Sequence, residues 1–245
     1  MYITENPSST GNATNSMNFM ALKRMQRVWI ALFLIAVVAL SFAPVAILGS
    51  AIGWPASLRN PAASQLAAIA AKADTVAFGY ALYALYSLAI APVAVIVAWR
   101  VTALHGPWSA LIISFGALSA IARLIGILRW LTVMPVLATS YTNGDAASRT
   151  TTEMIFNSIN AYGGGIGEML GVALFGGLWL LVAMIAALRN RAIPMWLSVF
   201  GVVAALMQLA LLSPLLGVAS VVPIAAAVTV FIIWLTAFAV TLVRK

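Results

Sequence analysis

Apolar residues in this chain come in long, nearly unbroken runs, and the polar residues gather in the short stretches between them. The runs extend from Val28 to about Gly49, from Thr75 to Trp99, from Trp108 to about Ala138, within Met154 to Leu188, from Pro194 to Leu212 and from Val218 to Val243. Spanning a hydrocarbon core of about 30 Å takes roughly 20 apolar residues of α-helix. Each run reaches or approaches that length, so the pattern predicts an all-α fold, an integral membrane bundle of six transmembrane helices.

The intervals supply the punctuation. Residues 1–22 are rich in Asn, Ser and Thr without an apolar period and read as a disordered cytoplasmic tail, leaving 23–245 as the six-helix transmembrane domain. Between Ser50 and Asp74, Gly53-Trp54-Pro55 and Asn60-Pro61 are turn signals, and the alanine-rich stretch after Pro61 suits a short interfacial helix. Arg100 to Pro107 makes a turn, and Thr139 to Glu153, with Asn143-Gly144-Asp145, reads as a polar loop. Asn157, Ser158, Asn160 and Gly163-Gly164-Gly165 interrupt the first half of the fourth span, where the helix either continues or unwinds to line a cavity.

Composition narrows the class further. Of the 245 residues, 64% are hydrophobic and 7% charged, against about 45–50% and about 25% in ordinary soluble domains. The net charge of +8 would suggest nucleic acid in a soluble chain, but here the cations stand at the ends of apolar runs, so no nucleic-acid partner is expected. Lys23, Arg24, Arg27, Arg100, Arg189, Arg191, Arg244 and Lys245 fall on one side of a six-span layout; Arg59, Lys72 and Arg149 fall on the other. That asymmetry predicts both termini inside. Trp29, Trp99, Trp108 and Trp196 near inner span ends, with Trp54 and Trp130 near outer ones, suit interfacial belts.

Candidate chemistry is sparse. Charges within spans are costly and usually face a bundle interior or a water-filled cavity, which singles out Arg123, Arg129 and Glu168 as a polar centre. Depth counting leaves either arginine as the partner of Glu168; Arg123 is preferred, because Arg129 can reach the headgroups by itself. Asn157, Asn160, Tyr80 and Tyr83 could line the same centre, with Ser87 and Tyr86 nearby, and Gln208 is a buried-amide candidate. Gly163, Gly167 and Gly171 repeat at four-residue spacing and suit close helix packing. With no cysteine and with His105 the single histidine, no metal site, cofactor or catalytic residue is expected. Only Glu168 is placed for acid or base work, without a nucleophile, so an enzyme is the least favoured class.

Ala120-Ile121-Ala122-Arg123-Leu124-Ile125-Gly126 and Arg191-Ala192-Ile193-Pro194-Met195-Trp196-Leu197-Ser198-Val199-Phe200-Gly201 resemble an uncharacterised bacterial membrane family, domain of unknown function 4386. The resemblance covers about half the chain and implies a six-helix protein of the bacterial inner membrane, with no known activity to transfer. The expected function is binding of a small ligand or lipid, or service as a membrane protein partner. The alternative is a small transporter using the Arg/Glu centre.

Overall fold

The structure, a computed structural model, describes residues 8–243, with side chains from Met25 to Leu242. Among these residues the order is α1 (Ser8–Ile52), a 3₁₀ turn (Ala56–Arg59), α2 (Ala62–Ala71), α3 (Ala73–Thr102), α4 (Gly106–Asn143) and α5 (Ala146–Gly164). A π-helical segment (Gly165–Phe175) leads without a break into α6 (Gly176–Asn190), followed by α7 (Met195–Ala210), a second 3₁₀ turn (Ser213–Leu216) and α8 (Ile224–Val243). Five helical stretches among the described residues are long and apolar enough to cross a membrane: Met25–Ile52, Ala73–Thr102, Gly106–Asn143, Ala146–Asn190 and Ile224–Leu242. α7 is apolar but only 16 residues long. The first part of the expected tail, residues 1–7, lies outside the described residues; from Ser8 the backbone is helical and continuous with the first span. Extending an existing helix adds one hydrogen bond per residue fixed, so propagation does not require apolar residues.

The expected polar loop from Thr139 to Glu153 is in fact two residues, Gly144-Asp145, between two long helices. The polar side chains there do not compete with the helix because they bond back into it. Thr139, Thr142, Thr150, Thr151 and Thr152 each donate their hydroxyl to the carbonyl four residues earlier. Asp145 then caps α5 by accepting the Ser148 backbone N–H at 2.8 Å, which holds its carboxyl below the usual carboxylate range. At 1.5 Å per residue the 38 residues of α4 run about 57 Å, well beyond a hydrocarbon core of about 30 Å. α4 is therefore longer than a single crossing requires. The expected short helix after Pro61 is present as α2, packed against the α4–α5 hairpin: Leu66 and Ile69 pack with Trp130, Met134, Leu137 and Phe156.

Two apolar cores are stacked along the bundle. One is built from α1, α3, α4, α6, α7 and α8, around Trp179, Trp234, Phe231 and Phe238. The other gathers the end of α1, α2, the start of α3, the end of α4 and α5. Tyr83 packs against both. Trp130 belongs to the second core and is only 3% exposed, stacked on Tyr80 with ring centroids 4.6 Å apart. It is a packing residue, unlike the exposed Trp29 and Trp196. The expectation of an interfacial role fails for Trp130 because α2 and α5 cover that end of α4. At the opposite end, Asn190 donates to the Val101 carbonyl at 2.8 Å and Arg189 lies over Trp108, tying the basic turn after α6 to the ends of α3 and α4.

Candidate functional site

The site is built on the contact between α4 and the π segment, and glycine sets how close the two backbones come. A Cβ added to Gly126 would lie 2.6 Å from the Gly167 Cα and 2.8 Å from the Gly163 carbonyl oxygen. One added to Gly171 would meet the Arg123 backbone nitrogen at 2.8 Å. Gly163, Gly167 and Gly171 therefore all face α4. Four residues overshoot one turn of α-helix and undershoot one turn of the wider π-helix, so the stripe stays on one side as the chain passes from one form to the other. The alternative of unwinding at Gly163 to Gly165 does not occur: the helix continues and changes pitch instead. The Gly171 carbonyl accepts the Ser119 hydroxyl at 2.6 Å, a second tie between the two elements.

This apposition puts the level of Glu168 on α4 between Arg123 and Arg129, so side-chain direction decides which arginine faces it. Helical side chains lean toward the N-terminus of their own helix. Arg129 thus leans back toward Gly126, whose carbonyl accepts from Nη1, while its Nε donates to Asn160 Oδ1 at 3.2 Å. Arg123 leans in the same direction along α4, which from its position carries it away from Glu168, and its Nε donates to Ser119 Oγ at 3.3 Å. Glu168, on the antiparallel element, leans toward the Arg129 level. The expected Arg123–Glu168 pair is not formed, and no carboxylate lies within ion-pair distance of either arginine among the described residues. The preference for Arg123 rested on Arg129 reaching the headgroups by itself, whereas Arg129 is turned inward onto the Gly126 carbonyl and Asn160.

Arg123, Arg129, Glu168, Tyr80 and Tyr83 line one cavity of about 330 Å³ between the two cores. The remaining wall is mostly apolar: Phe42 and Val45 of α1, Trp54, Pro55 and Leu58 after it, Ile127 and Trp130 of α4, Val172, and the first two turns of α8. Arg123 is 5% exposed, yet of its five N–H donors only Nε has an aligned hydrogen bond among the described residues. The hydroxyls of Tyr80 and Tyr86 are both buried without a hydrogen-bond partner among the described residues. Glu168 is exposed within the cavity.

Two sequence candidates stand apart. Asn157 is exposed on α5 and does not line the cavity, because the helix carries it beyond the level of Arg129. Asn160 acts through Arg129 as an acceptor rather than as a wall residue. The sequence reading missed Ser119 and Gly176. A Cβ on Gly176 would meet Gln208 Oε1 at 2.6 Å and Arg123 Nη2 at 3.2 Å, so this glycine makes room for a buried amide and a guanidinium together. Gln208 Oε1 has no partner among the described residues. A serine four residues before an intramembrane arginine was the available signal for Ser119; nothing in the sequence marked Gly176. His105 sits in the α3–α4 turn, away from the cavity, with Nδ1 2.6 Å from the Ala103 carbonyl. No metal-holding group of three or more His, Asp or Glu side chains occurs among the described residues.

Compared with known proteins, residues 30–239 match the family model described as Domain of unknown function (DUF4386), and the chain belongs to that family. No curated protein and no solved structure matches it significantly.

Proposed function

Taking membership of that family as the premise, we propose that the chain is a six-span protein of a bacterial inner membrane, with both termini inside, that holds a small ligand or lipid in the Arg123/Arg129/Glu168 cavity. The single observation that carries the reading is the cavity itself, in which two arginines, a carboxylate and two tyrosines converge within an otherwise apolar wall. Ligand sites are typically concave, mostly apolar and furnished with a few convergent polar groups. α7 completes the six spans: it packs on α6 and α8, and its apolar length is shortened by the 3₁₀ turn that follows. The charge asymmetry between the two ends supports the orientation. Residues 1–22 form a cytoplasmic tail that insertion does not require, Lys23, Arg24 and Arg27 setting the orientation instead.

Binding is favoured over transport because the half of the bundle away from the cavity is filled. Val93, Val97, Leu180, Ala183, Leu235 and Phe238 there are essentially inaccessible, which leaves no polar path to the other side. Service as a partner for another membrane protein stays compatible with a ligand-filled cavity. Native mass spectrometry of the gently extracted protein tests the reading. A co-purifying small molecule or lipid, lost when the cavity wall is altered at Gly167→Leu, is the expected result. A ligand-free mass for the extracted protein, unchanged on incubation with the source membrane lipids, would remove it.

A further inference from the structure

We propose that the cavity takes the anionic headgroup of a membrane amphiphile, whose acyl chain stays in the bilayer and passes out between α1 and α8. The inference rests on the ligand-binding reading above and names the ligand's chemical class and its route.

Charge decides the headgroup. Two guanidinium groups and one carboxylate line the cavity, so its fixed charges leave an excess of one positive. Arg123 is buried with its Nη donors unspent among the described residues, and a guanidinium in a low-dielectric wall strongly favours an anionic acceptor. Two further features point the same way. The start of α8, at Ile224 and Ala225, forms part of the wall, and a helix N-terminus presents free N–H groups and about half a unit of positive charge. The Tyr80 hydroxyl, buried without a partner among the described residues, supplies a neutral donor at the same wall. A zwitterionic or neutral headgroup would leave this excess uncompensated. Carboxylate and phosphate share the required chemistry, both being planar or tetrahedral oxyanions that an arginine can grip through two N–H groups.

Shape decides the chain. About 330 Å³ is at the lower end of ligand pockets, which run from about 300 to 1,000 Å³, so it suits a headgroup and the first carbons of a chain rather than a whole lipid. Part of the wall faces outward. Phe42 and Val45 of α1 are 61% and 44% exposed, and Ile224, Ala225 and Thr229 of α8 are exposed as well, although all five line the cavity. Residues that both line a cavity and face the lipid mark a lateral opening. Trp54, Pro55 and Leu58, from the segment after α1, line another part of the wall.

The test uses the full chain, extracted and stripped of lipid in detergent, with binding read by native mass spectrometry. Dioleoyl phosphatidylglycerol, oleate and dioleoyl phosphatidylcholine are added back in parallel, with inorganic phosphate as competitor. The anionic amphiphiles should bind about tenfold or more tightly than phosphatidylcholine, and Arg123→Gln and Arg129→Gln should each remove most of that preference. Ala225→Trp narrows the opening at an exposed position that does not burden folding, and it should weaken amphiphile binding while thermal stability is unchanged. Equal binding of phosphatidylcholine would overturn the charge argument, leaving a ligand site of another class. Displacement of the amphiphile by phosphate, with Ala225→Trp inert, would overturn the chain argument in favour of a free oxyanion. Failure of every probe to bind wild-type protein would take the ligand-binding reading down as well.

Discussion

Replacing Gly126 by alanine tests the backbone apposition on which the whole site rests. In an ordinary helix interior the change would stabilise, since alanine is favoured over glycine by about 0.8–1.0 kcal/mol. At Gly126 the new methyl would stand 2.6 Å from the Gly167 Cα, 2.8 Å from the Gly163 oxygen and 2.9 Å from the Gly167 nitrogen. All three are backbone atoms of one rigid helix, so no side chain can swing aside. Carbon atoms settle about 3.5–4.0 Å apart, so the two helices would have to separate by roughly 1 Å. Overpacking costs about 1–3 kcal/mol, and rigid backbone places this case in the upper half, for a net loss of about 1–2 kcal/mol after the propensity gain.

Two other glycines serve as internal controls. A Cβ on Gly167 meets the Gly126 Cα at 3.3 Å, a misfit of a few tenths of an ångström, so clash and propensity should nearly cancel. A Cβ on Gly165 meets nothing within 4 Å, so alanine there should stabilise by about 0.5–1 kcal/mol. Thermal unfolding of the detergent-extracted variants, followed by tryptophan fluorescence, should rank Gly165→Ala above Gly167→Ala above Gly126→Ala. At about 2–4 °C per kcal/mol for a chain of this size, the extremes should differ by roughly 5–10 °C. Coincident midpoints, or Gly165→Ala as the least stable of the three, would refute the close approach of α4 to the π segment.

Three further outcomes follow from other parts of the molecule. In double-mutant cycles, Arg129→Gln with Glu168→Gln should show a coupling of about 0.5–1 kcal/mol, while Arg123→Gln with Glu168→Gln should be additive; the reverse pattern would contradict the side-chain directions. The depressed Asp145 carboxyl makes a stabilising contribution that is present above the ordinary Asp value and lost as pH falls through the lower folded value. Thermal scans between about pH 6 and pH 3 should therefore show a loss in the wild type that Asp145→Asn, a cap that does not titrate, lacks; parallel curves would mean the cap does not act through charge. Single cysteines introduced into this cysteine-free chain should be labelled from outside intact cells at position 145 and from inside at position 190; labelling of both from the same side would end the six-span topology.

Hydrophobic length is a one-dimensional property, and five of the six expected runs fall on helices long and apolar enough to cross a membrane; the run from Pro194 to Leu212 falls on the shorter α7, and the last one starts at Ile224 rather than Val218. What misled was equating polarity with loop. Thr150, Thr151 and Thr152 look like solvent-seeking residues in a list of letters, yet their hydroxyls are spent on their own helix, and nothing in the letters distinguishes the two uses. That single misreading moved the hairpin turn, and with it every depth counted from the turn. The three intramembrane charges were legible for the opposite reason: their cost in lipid is so high that position alone marks them. Which of them meet was not legible from depth, because Glu168 is level with the interval between the two arginines. The sequence does contain the deciding information, since the chain direction of each helix sets the lean of its side chains. Arg129 and Glu168 lean toward each other from antiparallel helices, whereas Arg123 leans away toward Ser119. The same lean leaves the Arg123 guanidinium without a carboxylate partner among the described residues, and that is the physical origin of a cavity in search of an anion.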